Sequence, residues 1–302
     1  MTMFNERAGQ AAWLRPVLSR AEHDAGLGLR SGALLERAGQ VIVRDRRLSE
    51  IAYRRPPGVT TRQWSVATRV QWDFVVCDPE DYRPVFVVDL VDPARRTAAE
   101  WREDRMTDAV CDALGLRTLR IESSALRPAD AGRRIVEYVI DARTFTEAGE
   151  AEPDQPGAGV GYRDIIGRLP DGRTGYVNDL GAVARAGAVD AFVSRQLADP
   201  LLRGLHVRWK DGAAEGWAWL TVRDGGFLFE RVRIRAYRLH CGVDHGRLAE
   251  DLAAAAVGER LKTLGLADES LRGRADLADE LRQLRLRRSD MDGEFAFDHV
   301  SF

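Results

Sequence analysis

Three consecutive stretches decide the fold: Val70-Gln-Trp-Asp-Phe-Val-Val-Cys77, Asp78-Pro-Glu-Asp-Tyr-Arg-Pro84 and Val85-Phe-Val-Val-Asp-Leu-Val91. Two apolar runs rich in β-branched and aromatic residues flank a cluster of turn formers, the pattern of a β-hairpin with a longer loop. Each run carries one aspartate, Asp73 and Asp89. A carboxylate buried in a strand is costly unless it is paired or bound to a metal. The midpoint of 73 and 89 is 81, the centre of the Asp78–Pro84 turn. A symmetric hairpin without a bulge therefore sets the two aspartates opposite each other, their Cβ atoms about 5 Å apart. Like charges placed so repel, and a divalent cation between them turns repulsion into coordination. Hard oxygen ligands suit Mg²⁺. On this reading Phe74, Val76, Phe86, Val88 and Leu90 fall on the opposite face and form the core. The competing reading makes Asp73 and Asp89 strand-end residues that cap nearby backbone, or lets a bulge turn them to opposite faces.

Working outward, the pattern predicts helices at about 6–22 and 32–38 and a strand beginning Gln40-Val-Ile-Val. Residues 51–66, broken by Pro56-Pro57-Gly58, read as irregular. After the hairpin come a helix over 97–114 closed by Gly115, a strand Leu116–Ile121 and a helix over 128–142. This order is that of a mixed α/β domain over residues 1–145. The stretch Thr146-Glu-Ala-Gly-Glu-Ala-Glu-Pro-Asp-Gln-Pro-Gly reads as a linker over 146–160. Residues 161–302 read as a separate α+β domain. Its helices are expected at about 179–198, 246–264 and 274–287. Its strands are expected around 205–209, 216–222, 227–235 and 294–300.

The chain's 302 residues suit two domains, each able to bury its own core. Forty-five Lys+Arg face 47 Asp+Glu, a net charge of −2, which excludes a wholly basic or acidic chain. That balance hides an asymmetry. Residues 1–70 carry 12 arginines and 6 acids, whereas residues 71–150 carry 11 arginines and 17 acids. The basic half could track a phosphate backbone while the acidic half surrounds a cation. Three cysteines without CxxC spacing argue against a disulfide scaffold or a zinc ribbon. No apolar run approaches the ~20 residues of a membrane span. With no apolar leader at the start, the chain is expected to be cytoplasmic.

The order of motifs resembles the PD-(D/E)XK, or restriction-endonuclease-like, superfamily, and within it the very-short-patch-repair-like branch. The matching residues are Gln40-Val41, Asp73-Phe74, Val88-Asp89-Leu90, Glu103-Asp104-Arg105, Gly115-Leu116 and Leu119-Arg120-Ile121, spanning about residues 30–142. The resemblance implies a restriction-endonuclease-like mixed sheet flanked by helices, and metal-dependent hydrolysis of DNA phosphodiesters. Asp73 and Asp89 would hold Mg²⁺ or Mn²⁺, and Asp92 would be a further carboxylate. Two departures stand out. Val91 occupies the position of the motif's Lys or of the branch's second Asp, and Arg95 that of its His. No lysine occurs before residue 210. Arginine cannot replace a lysine or histidine base, because it stays protonated.

Arg95, Arg96, Arg102 and Arg105 are candidates to clamp phosphate. Arg44, Arg46, Arg47, Arg54 and Arg55 are candidate DNA-backbone contacts. The rival function is a catalytically degenerate nuclease-fold module that binds DNA or scaffolds a complex, with the C-terminal domain recognising substrate or a protein partner. A third reading is an interaction protein with no nucleic acid.

Weaker signals read as structural. Glu100, Asp104, Asp108 and Asp112 form an i, i+4 stripe, expected to be a solvated helix face. Cys241-Gly-Val-Asp-His245 lacks zinc-ligand spacing, and Asp290-Met-Asp-Gly-Glu294 reads as a turn. Trp209, Trp217 and Trp219 read as core. His23 stands alone before residue 160 and supports no histidine-driven nucleophile.

Overall fold

A computed structural model describes residues 13–19, 21–22, 34–127, 131–151, 160–169, 172, 174–235, 239–265 and 271–293. His23, most of the helix expected over 6–22 and the strand expected over 294–300 lie outside these residues. The chain is mixed α/β and divides into two units, Met1–Arg120 and Ile121–Phe302.

In the first unit, strands β1 (Leu34–Arg37), β2 (Gln40–Arg47), β3 (Gln71–Cys77) and β4 (Pro84–Val91) form an antiparallel run, and β5 (Arg117–Glu122) lies beside β4. Residues 34–37 are thus strand, not helix. Leu-Leu-Glu-Arg favours helix by propensity, but Ala38 and Gly39 both take positive φ, +47° and +76°. That is the backbone a two-residue hairpin demands, and pairing with β2 overrides propensity. Residues 13–19 are not helical either, for Leu14 bridges Ala52. Within the region expected to be irregular sits α2 (Thr61–Ala67), which follows the short α1 (Leu48–Ile51). Thr60 and Gln63 cap α2 reciprocally. The Thr-x-x-Gln spacing is a helix-start signal.

Helix α3 (Ala98–Leu114) opens on a Thr97/Glu100 capping box and stops where Gly115 turns left-handed at φ +68°. Val41, Val43, Val75, Cys77 and Val87 bury one sheet face against Leu48, Ile51, Val110, Cys111 and Leu114. Ile42, Phe74, Val76, Phe86 and Val88 are buried as well. Both faces of the hairpin are therefore apolar, rather than one core face and one cleft face. Strands covered on both sides read as unbroken apolar runs, which is why alternation was a poor guide here.

In the second unit, α4 (Arg133–Ala151) continues helical through residues 146–151, which read as linker. Ala and Glu are strong helix formers, and they carry the helix past the polar composition. A small hairpin, β6 (Ile166–Arg168) and β7 (Thr174–Tyr176), precedes α5 (Ala182–Val193). Strands β8 (Arg203–Arg208), β9 (Ala214–Arg223) and β10 (Gly226–Arg235) pair antiparallel, with a two-residue β11 (Arg272–Gly273) on the edge.

Helix α6 (His245–Leu261) packs so closely on β9 that a Cβ at Gly216 would lie 2.1 Å from the Ala249 backbone. Helix α7 (Arg274–Leu286) contributes Leu277, Leu281 and Leu284 to a core with Trp209, Trp217 and Trp219. Arg288–Asp290 is a single 3₁₀ turn. Among the described residues no helix is long and apolar enough to cross a membrane.

Candidate functional site

The β3–β4 register runs Phe74↔Val88, Val75↔Val87 and Val76↔Phe86, with an irregularity at Val76/Cys77 next to the turn. Despite that irregularity, one further step along the ladder places Asp73 across from Asp89. The paired residues end one step short of it, at Phe74 and Val88. On its other side β3 pairs with β2 through Arg44↔Phe74 and Arg46↔Trp72, and between them Asp45 takes φ +56°. The ladder is thus interrupted on both sides of Asp73. Instead of a backbone carbonyl, the Asp73 carboxylate accepts the Leu90 N–H at 2.7 Å. Such interruptions re-aim a side chain. Burial pushes Asp73 up to about 6, the Leu90 hydrogen bond pulls it down, and the charges of Asp89 and Asp45 raise it again. Asp73 therefore combines both sequence readings: it caps backbone and it feels its carboxylate neighbours.

Asp89 is buried and does not face Asp73 alone. Arg120 of β5 donates from Nε to Asp89 Oδ2 at 3.0 Å and from Nη1 to Asp108 Oδ1 at 2.8 Å. The same Nη1 lies 4.0 Å from Asp104 Oδ1. Arg96 lies 3.8 Å from Asp104 and 3.9 Å from Glu100. The Arg120 guanidinium also sits 5.7 Å from the Trp72 ring centroid. Burial alone would lower the Arg120 pKa, but Asp89, Asp108 and Asp104 outweigh it and hold the group above its ordinary value. For Asp89 the balance runs the other way. Burial raises its pKa more than the Arg120 charge lowers it.

Beside Asp89, the carboxylates Asp104 and Asp108 stand close to the buried Arg120, and Asp104 also to the half-buried Arg96. Asp104 Oδ2 is buried with no hydrogen-bond partner among the described residues. The stripe on α3 is consequently only half a solvated face: Asp112 is exposed and Glu100 largely so, whereas Asp104 and Asp108 turn inward onto Arg120. Sequence reasoning matched Arg120 only as a motif letter. A lone arginine between Leu119 and Ile121 was the available signal, because a charge in an apolar strand requires a partner.

The remaining candidates are dispersed. Asp92 caps the 3₁₀ turn Pro93–Arg95, accepting the Ala94 N–H at 3.1 Å. Val91 is buried. Arg95, Arg102 and Arg105 are exposed, and Arg102 Nε donates to the Ala98 carbonyl of its own helix. Arg44 stacks 5.4 Å from the Phe74 ring centroid. Arg46 is half-buried, and Arg47 is the N-cap residue of α1. Arg54 stacks 5.0 Å from the Trp13 centroid. Together with Arg55 these two line an open depression of about 340 Å³ floored by Pro56, Pro57 and Gly58.

Hard carboxylate oxygens are the donor chemistry of Mg²⁺ or Mn²⁺. Among the described residues no group of three or more His, Cys, Asp or Glu is placed to hold a metal ion. Mg²⁺ characteristically uses one or two carboxylates together with substrate phosphate and water. Asp73 and Asp89 are two carboxylates of that kind, each with one oxygen already held, by the Leu90 N–H and by Arg120 respectively.

Residues 59–138 match the profile of a family described as a protein of unknown function, DUF2726. The matched span contains Asp73, Asp89, Asp104, Asp108 and Arg120. No curated protein and no solved structure matches the chain.

Proposed function

We propose that the first unit is a PD-(D/E)XK-type nuclease domain that hydrolyses DNA phosphodiester bonds with a divalent cation. The observation that carries this reading is the placement of Asp73 and Asp89 on adjacent strands at an interrupted ladder, beside a buried Asp104 oxygen that has no hydrogen-bond partner among the described residues. Asp73 and Asp89 would hold Mg²⁺ or Mn²⁺. When bound, the cation would supply Lewis-acid stabilisation of the charge developing on the scissile phosphate. Arg120 orients Asp89 by holding Oδ2, while Asp108 and Asp104 hold Arg120 in turn. The Leu90 N–H holds one oxygen of Asp73. Arg96 stands next to this cluster and can turn from Asp104 to a phosphate. No side chain occupies the role of the motif lysine: Val91 is apolar and buried.

A second reading, a catalytically degenerate module that binds DNA without cutting it, is favoured by Val91 and by the Arg120 guanidinium already seated on Asp89. The test is incubation of the full chain with plasmid and short duplexes in Mg²⁺, Mn²⁺ or EDTA, beside Asp73→Asn and Asp89→Asn. The proposal expects cutting that needs the cation and is lost in both variants. Cutting that persists in both would overturn the assigned residues, and binding without cutting would establish the degenerate module.

A further inference from the structure

The depression beside Trp13 lies apart from the carboxylate cluster and is built of rigid parts. Its floor is a turn. The Val59 N–H donates to the Pro56 carbonyl, Pro57 fixes one central φ, and Gly58 supplies the other at +81°. That is the pattern of a type II turn. One wall is a stack: the Arg54 guanidinium lies over the Trp13 ring, 5.0 Å from its centroid, and Trp13 in turn packs against the core of the first unit. Arg55 is anchored on the loop, its Nη1 donating to Thr61 Oγ1 at 2.7 Å. Both arginines are exposed, and neither forms an ion pair among the described residues.

These parts select a ligand. No acidic residue lines the depression, and residues 51–72 carry four arginines without one aspartate or glutamate. The field there favours an anion. The stack adds a second requirement. A guanidinium held flat on an aromatic ring presents its outer plane to solvent, and unpaired bases stack on such planes. Its edge N–H groups remain free to reach a phosphate. A volume of about 340 Å³ is at the lower end of ligand sites. It takes one planar group and not a double helix, whose bases must leave the stack before a pocket can hold them.

We propose that this depression binds one unpaired nucleotide of a DNA strand, its base stacked on Arg54 and its phosphate held by Arg55. The proposal rests on the reading of the first unit as DNA-directed. To that reading it adds a substrate class: DNA with unpaired nucleotides, such as a tailed or gapped duplex, in preference to a blunt one.

The experiment is fluorescence anisotropy of the full chain in EDTA, so that binding is read without cutting. Fluorescein-labelled duplexes of one sequence are compared: blunt, with a short thymidine overhang, and with the same overhang made abasic. The base-bearing overhang is expected to bind about fivefold or more tighter than the abasic one, the lower end of what base stacking on a side chain supplies. Arg54→Lys keeps the charge and removes the plane, so it is expected to abolish that difference and leave the blunt duplex bound as in the wild type. Arg55→Ala is expected to weaken both overhangs alike. Equal affinity for the base-bearing and abasic overhangs, or binding to neither, overturns the proposal. So does a preference that persists in Arg54→Lys, or polyglutamate binding as tightly as the base-bearing overhang. A base-dependent preference without cutting in Mg²⁺ upholds this proposal while removing the nuclease reading. Cutting of blunt duplex without such a preference does the reverse.

Discussion

Each unit buries an ionic cluster, and the two clusters balance differently. In the second unit Arg163 grips Asp251 with both nitrogens, Nε at 2.8 Å and Nη2 at 3.1 Å, and Arg185 pairs with Asp179 at 2.6 Å. Each carboxylate there has its own guanidinium. In the first unit Arg120 is divided between Asp89 and Asp108, with Asp104 at its margin and Asp73 across the hairpin. A one-to-one bidentate pair closes on itself and fixes packing. A guanidinium divided between carboxylates leaves each less completely paired, and Asp104 Oδ2 has no hydrogen-bond partner among the described residues. The difference marks the first cluster as the candidate site without recourse to any motif.

The sharpest way to break this comparison is to remove the arginines. Arg120→Met strands Asp89, Asp104 and Asp108 in a buried setting and is expected to destabilise the fold by about 4 kcal/mol. Arg163→Met strands Asp251 alone, for about 3 kcal/mol. Urea denaturation of the two variants checks the order. If Arg163→Met proved the more damaging, the first cluster would not be the more dependent on its arginine.

Removing a carboxylate should give the reverse ranking. Asp251→Asn leaves a guanidinium without its anion and is expected to cost about 2 kcal/mol. Asp104→Asn relieves repulsion as well as losing attraction, so its change should stay within about 1 kcal/mol. Equal losses in the two variants would show the clusters to be equivalent.

The path from sequence to these clusters was uneven. The hairpin was legible because Asp78-Pro-Glu-Asp-Tyr-Arg-Pro84 forces a turn, and its centre anticipates the register Phe74↔Val88, one step from Asp73 and Asp89, despite the irregularity at Val76/Cys77. Helix α3 was legible from Thr97, Glu100 and Gly115, local signals that need no tertiary help. What alternation could not show was that both hairpin faces are covered, because that depends on distant elements. Leu34-Leu-Glu-Arg37 was misleading because strand pairing outweighs propensity. Arg120 was illegible as a ligand-holder because its three carboxylate neighbours come from a strand and a helix distant in sequence. The Asp104/Asp108 stripe, read as solvated, was half of that interaction.

Proton uptake discriminates more finely. Asp73 is raised from 3.8 to about 6 by burial together with neighbouring carboxylates. A carboxyl whose folded pKa exceeds its unfolded value stabilises the fold fully below about pH 3.8, and that contribution is lost as pH rises through about 6. The loss amounts to roughly 3 kcal/mol at most, at 1.36 kcal/mol per unit. Asp73→Asn should remove this dependence. Asp89→Asn should lower the Asp73 midpoint, and so should millimolar Mg²⁺, both read by carboxyl-carbon NMR titration. Asp251 is also raised, burial outweighing Arg163. With its oxygens already held by Arg163, its midpoint should not respond to Mg²⁺. Equal responses would dissolve the distinction between the two clusters.

The smallest expected effect concerns arginines outside both clusters. Arg54 stacks on Trp13 and has no carboxylate partner among the described residues. Its charge is therefore available to a phosphate, unlike that of Arg120 or Arg163. Arg54→Ala should leave stability within about 0.5 kcal/mol, since it is an exposed surface change. It should weaken binding to duplex DNA a few-fold and reduce the slope of log affinity against log salt by about one. Arg163→Lys is the matched control, because its side chain is committed to Asp251 and it should leave that slope alone. An unchanged slope in Arg54→Ala would remove this residue from the DNA-contacting surface while leaving the Asp73–Asp89 site untouched, since the two rest on separate observations.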